Sequence, residues 1–363
     1  MQNKRALITA IVVALLGLLI YSQIREWRDF DWPTFWAQTH HIRGIHLLHG
    51  IALIYIHYGL RALRWKIFLK PLKKTSAIGL IPPTVIGFAG LALLGRPGEF
   101  IRPYLIARRE GLSLSSQIAV WTVERIFDLG AFTTLMVAAI FASKGLRELS
   151  FYNKFRDAGF VLMAGVILLA LILVLIAKNG SRLADWAERQ CGAGRAAFGT
   201  KVATKIREFG LGLNTIESPW ALAQLAGVSV TMWYLIALAY REVTHAYAIP
   251  TLQHLTTSKV LLLMGSSMVG SMVQLPAVGG GSQVATISAL SAIFHVPKES
   301  AVSCGILLWL VTFMSVVPLG LALAHRAHLS LRQLSKESAE AESAETPATM
   351  ETPKGVSGGQ LDT

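Results

Sequence analysis

The 363-residue chain is 53% hydrophobic and only 15% charged, with a mean hydropathy of +0.50, where a soluble domain carries about 25% charged residues. That balance excludes an ordinary soluble enzyme and a disordered chain, and two distant cysteines, Cys191 and Cys304, exclude a disulfide scaffold. The formal charge of +13 then reads as basic loops on the cytoplasmic leaflet of a polytopic membrane protein, not as a nucleic-acid surface.

A spanning helix needs about 20 mostly apolar residues. Runs of that kind occur at 6–21, 45–60, 119–142, 158–177, 220–240 and 301–324. The first follows Lys4 and Arg5 and lacks a small-residue cleavage site, so it reads as an anchor. The connection after it mixes charges of both signs with Trp27, Trp32 and Trp36, as suits an outer interface. His40, His41, His46, His49 and His57 follow with no acidic or Cys partner at ligand spacing, so no metal site is expected among them. Arg61, Arg64, Lys66, Lys70, Lys73 and Lys74 come next and read as a cytoplasmic basic stretch.

Two further apolar stretches are interrupted. Pro82-Pro83 lies within 77–94, and Pro276 with Gly279-Gly280-Gly281 lies within 260–294. Such residues free backbone groups that lipid cannot satisfy, so both stretches are predicted to be broken, re-entrant hairpins. Between them, 178–219 is basic and polar, a cytoplasmic helix pair or surface helix, and 336–363 turns acidic and is expected to be disordered. The membrane domain then covers 1–335, both termini being cytoplasmic, with halves of about 1–142 and 158–325. Shifting the chain by 184 positions superposes Gly95 on Gly279 and Ser116 on Ser300, which suggests an inverted repeat, a transporter architecture.

The informative residues are charges at membrane depth, each costing about 2.5–3.5 kcal/mol at a helix centre. "GRPGEFIRPYLIARREGLS" places Arg96, Glu99 and Arg102 within a turn or two after the first break, with Gly95 and Gly98 as flexible points. Glu99 and Arg102 stand at i, i+3, able to pair on a helix face. "AVWTVERIFDLGAF" puts Glu124 and Asp128 at i, i+4 on one face of a span, with Arg125 about 100° round. These three must face the bundle interior, and Arg96 or Arg102 are the economical partners. The group reads either as a polar cavity for a phosphate-bearing head group or as an internal ion-pair lock, and the two are compatible. Gln274 and Gln283 flank the second break, lining the same cavity or capping freed backbone groups.

Those motifs carry a resemblance. "GRPGEFIRPYLIARREGLSLSSQIAVWTVERIFDL" resembles the signature of the lysylphosphatidylglycerol synthase transmembrane family, with Gly95, Arg96, Gly98, Glu99, Arg102, Glu124, Arg125 and Asp128 at matching places. "QLPAVGGGSQVATISALSAIFHVP" resembles its second motif, but Val284 stands where a Glu is expected, beside Gln283. The resemblance implies movement of lipids between leaflets, including aminoacylated phosphatidylglycerol or polyprenyl and hopanoid lipids. No counterpart of the soluble aminoacyltransferase domain is found, so lipid synthesis is not expected.

The sequence therefore leads to an all-α, polytopic helical membrane protein of about six spans plus two re-entrant hairpins arranged as an inverted repeat. It is expected in the bacterial inner membrane as a flippase for a phospholipid or polyprenyl-phosphate lipid. Neither a cofactor, a metal nor a nucleic-acid partner is expected, and no enzymatic activity. The rivals are an intramembrane glycosyltransferase or phosphatase using Glu99, Glu124 and Asp128 as base or metal ligands, and a non-catalytic subunit of an envelope assembly.

Overall fold

The computed structural model describes residues 30–143, 152–190, 218–271 and 280–345. The run at 6–21 and the residues Gln274, Pro276 and Gly279 therefore lie outside the described residues. Every regular element within them is helical, and the chain is an all-α polytopic membrane protein. A short helix α1 (Trp32–His40) is capped by Asp31, which accepts from the Thr34 N–H at 3.1 Å and the Thr34 hydroxyl at 2.5 Å. Those two bonds hold the Asp31 carboxyl below its usual range.

Helix α2 (Gly44–Leu69) contains the run at 45–60 but continues well past it. Its later turns bury Arg61, Ala62, Arg64, Trp65, Phe68 and Leu69 while Lys66 and Lys70 stay exposed. Arg61 and Arg64 thus belong to an inward face and not to the cytoplasmic basic stretch in which the sequence pattern places them. The period of 3.6 separates the two sets.

Helix α3 (Ala77–Leu94) corrects the first predicted break. It runs through Pro82 and Pro83 without interruption, the two rings removing N–H donors near the helix start without ending it. The break comes at Gly95, whose φ of 70° and ψ of −144° suit glycine. A 3-10 turn (Arg96–Phe100) then leads into α4 (Ile101–Glu110), which folds back along α3. The arms approach so closely that a Cβ on Gly98 would collide with the Gly90 carbonyl, and one on Gly87 with Arg102. This is a helical hairpin, closed by glycines and turned at Gly95.

Helix α5 (Leu114–Ala142) follows, capped by Ser113. In α6 (Tyr152–Gln190) the run at 158–177 continues into polar sequence past a kink at Asn179 (φ −119°, ψ 16°). Helix α7 (Pro219–His245) leads through a single turn α8 (Pro250–Gln253) to α9 (Thr257–Ser271) and α10 (Gly280–Ala292), which pack on each other as a second hairpin. Helix α11 (Lys298–Trp309) passes through a π-helical stretch (Leu310–Met314) into α12 (Val316–Arg326). Helix α13 (Leu331–Glu345) reaches into the acidic segment expected to lack structure, with Leu334 buried against Ile101 and Leu105 and Glu337 accepting from the Tyr104 hydroxyl at 3.0 Å.

Among the described residues four stretches are long and apolar enough to cross a membrane: Ala77–Leu94, Leu114–Ala142, Pro219–His245 and Lys298–Arg326. Helix α2, at 26 residues, has the length but carries His and Arg along it. It packs along α7, while α3 packs between α2 and α12, and α5 packs on α7 and α9. That arrangement brings the inner faces of α2, α4, α5 and α7 to a common centre.

Candidate functional site

Glu124 is the hub of that centre. Neither it nor Arg64 has any exposed side-chain surface. One oxygen of Glu124 accepts from Arg61 Nη1 at 3.0 Å, Arg64 Nη2 at 2.5 Å and Arg102 Nη1 at 2.9 Å. The other accepts from Arg102 Nη2 at 2.5 Å and the Trp65 indole N–H at 3.0 Å. Arg102 therefore grips Glu124 with both prongs of its fork, the strongest form of the pair. Asp128, one turn along, accepts from Arg64 Nη1 at 2.7 Å, Trp233 Nε1 at 3.2 Å and Arg61 Nη1 at 3.5 Å.

Further donors are engaged as well, although Arg64 Nε is buried without a hydrogen-bond partner among the described residues. Arg64 Nη1 reaches the Ser229 hydroxyl on α7 at 2.9 Å. Arg61 Nε donates to His57 Nε2 at 2.8 Å, and His57 Nδ1 donates to the Met232 carbonyl at 3.2 Å, a pairing that uses the tautomer protonated at Nδ1. Phe88 of α3 lies under both Arg61 (4.7 Å) and Arg102 (4.9 Å), and the Trp65 ring faces Arg102 at 5.2 Å. Three guanidinium groups against two carboxylates leave one formal positive charge in a dry setting. Buried charges are tolerated only when paired in this way.

Of the predicted site residues, this cluster gathers Arg102, Glu124 and Asp128. Arg61, Arg64, His57, Trp65, Ser229 and Trp233 were not among the candidates. The available signal was helical spacing, since His57, Arg61, Arg64 and Trp65 recur at i, i+4, i+7 and i+8 on one face of α2. Glu99 and Arg102 form no ion pair among the described residues. Arg125 is exposed and stacks on Trp121 at 5.4 Å. Glu99, Arg102 and Arg125 share a small void with Gly87, Phe88 and Trp121, of about 10 Å³, roughly room for one water.

Arg96 and Gln283 go elsewhere. They line a cavity of about 740 Å³ between the turn of the first hairpin (Leu91–Arg96) and the facing ends of α9 and α10, with α7 and α11 behind. Gly280 and Gly281 form its wall at the start of α10, where Gly280 has φ 55° and the Gly281 carbonyl presses on Gly270. Most of the described lining is apolar, with Tyr240, Ser267, Ser271, Ser282, Thr286 and Thr312 as hydroxyl-bearing exceptions. No described carboxylate pairs with Arg96. Trp233 belongs to both places, its ring on the cavity wall and its indole N–H on Asp128.

A family model described as "Lysylphosphatidylglycerol synthase TM region" matches residues 6–320, a range that contains the whole ion cluster and all of the described cavity wall. No curated protein and no solved structure gives a significant match.

Proposed function

The chain belongs to the lysylphosphatidylglycerol synthase TM region family, and from that premise we propose that it moves a phosphate-bearing lipid between the leaflets of the bacterial inner membrane. A membrane-lipid role follows from the family; the transport step rests on the cavity between the two hairpins. That cavity is of ligand size, is largely apolar, and offers one cation among the described residues, Arg96, with no described ion-pair partner. An arginine fork is suited to a phosphate, and Gln283 with the nearby hydroxyls would bind the rest of a head group while the acyl chains stay in lipid.

In this reading the ion cluster does not itself bind the lipid. It fixes α4 to α2, α5 and α7, so that the first hairpin is a rigid wall against which the second can rock to open the site alternately to either side. Lys66, Lys70, Lys73 and Lys74 crowd one end of α2 and the turn after it, which supports placing that end, and both termini, in the cytoplasm. The engagement of Glu124 and Asp128 by arginines favours transport over an intramembrane glycosyltransferase or phosphatase, because it leaves Glu99 as the one carboxylate of the three without an arginine partner among the described residues, beside a void of only about 10 Å³.

The test is translocation of fluorescent phosphatidylglycerol in vesicles containing the full chain, read by chemical quenching of the outer leaflet. Arg96→Ala is expected to lower the rate about tenfold or more, a loss of roughly 1.4 kcal/mol or more of head-group binding. A wild-type rate equal to that of protein-free vesicles sinks the function, and an unchanged Arg96→Ala rate sinks the site.

A further inference from the structure

At the end of α2 remote from the lysines, two histidines and a glutamate converge. His46 and His49 stand at i and i+3 in the first two turns of α2 and share a face. Glu242 comes from the last turn of α7. Its Oε2 lies 2.8 Å from His46 Nδ1 and 3.5 Å from His49 Nδ1, and the three donor atoms all lie within 4.8 Å of one another. The helix ends that carry them are tied together. The Arg43 N–H donates to the Ala246 carbonyl at 3.0 Å, and Gly50 packs beside Ala239 and Val243 of α7.

A hydrogen bond between His46 and Glu242 accounts for only part of this. It leaves His49 facing the same carboxylate oxygen with no hydrogen bond among the described residues. The three side chains are 24%, 58% and 28% exposed, so an ion can reach them from solvent. His245, one turn beyond Glu242, is engaged separately, its Nε2 lying 3.3 Å from the Leu255 carbonyl.

We propose that His46, His49 and Glu242 form a binding site for a divalent transition-metal ion, best matched by Zn²⁺, that bridges α2 and α7. Tetrahedral zinc with bonds of about 2.0–2.1 Å holds its ligand atoms roughly 3.3 Å apart. Two of the three separations, 2.8 and 3.5 Å, bracket that spacing and the third lies within 4.8 Å, so the site closes by rotation of exposed side chains that draws the two imidazoles together. Two imidazole nitrogens and one carboxylate oxygen suit zinc, whereas magnesium and calcium take oxygen ligands. Three protein ligands leave a fourth position for water or an anion. The ion would cross-link the helices that precede the two hairpins, which gives a membrane transporter a point of control distinct from its lipid cavity. The sequence spacing hides the site because Glu242 lies 196 positions from His46.

The experiment is a Zn²⁺ titration of the detergent-purified full chain after chelator treatment, by calorimetry and by thermal melting. One saturable Zn²⁺ per chain is expected, with a rise in melting temperature. His49→Ala and Glu242→Gln should each weaken the affinity about tenfold or more, while His325→Ala, an exposed histidine on α12, should leave it unchanged. Because the His49 side chain is largely exposed, His49→Ala should also keep the metal-free melting temperature, and it decides the matter if Glu242→Gln folds poorly. Absence of saturable binding, or binding that survives His49→Ala, overturns the proposal. A protein that translocates lipid but binds no zinc overturns it alone and leaves the lipid reading standing.

Discussion

Arg96 and Arg102 flank the same 3-10 turn, yet they end in opposite circumstances. Arg102 is buried, gripped by both oxygens of Glu124 and sandwiched by Trp65 and Phe88. Arg96 is exposed on the wall of a cavity of about 740 Å³ and forms no ion pair among the described residues. Within one motif the chain thus spends one guanidinium on its own architecture and leaves another uncommitted. Desolvation makes the first kind intolerant of change, since its partners cannot find water once it is gone. Solvent access makes the second cheap to remove and free to meet a ligand. A charge at membrane depth is therefore not in itself a binding residue; what separates the two cases is whether its counter-charge is already in the fold.

The sharpest way to break that contrast is Glu124→Leu. It leaves Arg102 buried with no carboxylate and Arg61 and Arg64 to share Asp128, and should destabilise the chain by about 3–5 kcal/mol, seen as loss of a monodisperse, cooperatively melting species in detergent. A wild-type melting curve would show that the cluster does not hold the bundle together. Next comes Gly98→Val, which drives a side chain into the Gly90 backbone and should cost about 1–3 kcal/mol as overpacking. A smaller shift in melting temperature would mean that the two hairpin arms part easily. The smallest stability change belongs to Arg96→Ala, within about 0.5 kcal/mol as for an ordinary exposed substitution, although the same variant should lose most of its translocation. If Arg96→Ala instead melts as badly as Glu124→Leu, the two arginines are one kind and not two.

How far the sequence reveals this depends on the type of signal. Glu124 and Asp128 stand out because carboxylates inside an apolar run have no other reason to be there, and the sequence offers Arg96 or Arg102 as their partner, of which the structure uses Arg102. Arg61 and Arg64 do not stand out, because they sit where an apolar run gives way to lysines and take on the appearance of loop anchors. Only the phase of the helix, which buries Arg61, Arg64 and Trp65 and exposes Lys66 and Lys70, tells them apart. The first break is placed at Pro82-Pro83 by composition, yet α3 absorbs both prolines and turns at Gly95, where the requirement is a positive φ and not a missing donor. The meeting of His46 with Glu242 is a tertiary fact that no local spacing encodes.

Trp233 joins the two environments, with its ring on the cavity wall and its indole N–H on Asp128 at 3.2 Å. A molecule entering the cavity either packs against the indole and preserves that hydrogen bond or displaces the ring and breaks it. Coupling of this kind is reciprocal in free energy: whatever firms the ion cluster also firms the grip on the molecule, by the same factor. A ligand supplied at a hundred times its Kd would add about 2.7 kcal/mol to the stability of the occupied form. The heat resistance of the bundle thereby becomes a gauge of whatever occupies the cavity, so that candidate ligands can be ranked by melting curves alone, before any vesicle is made.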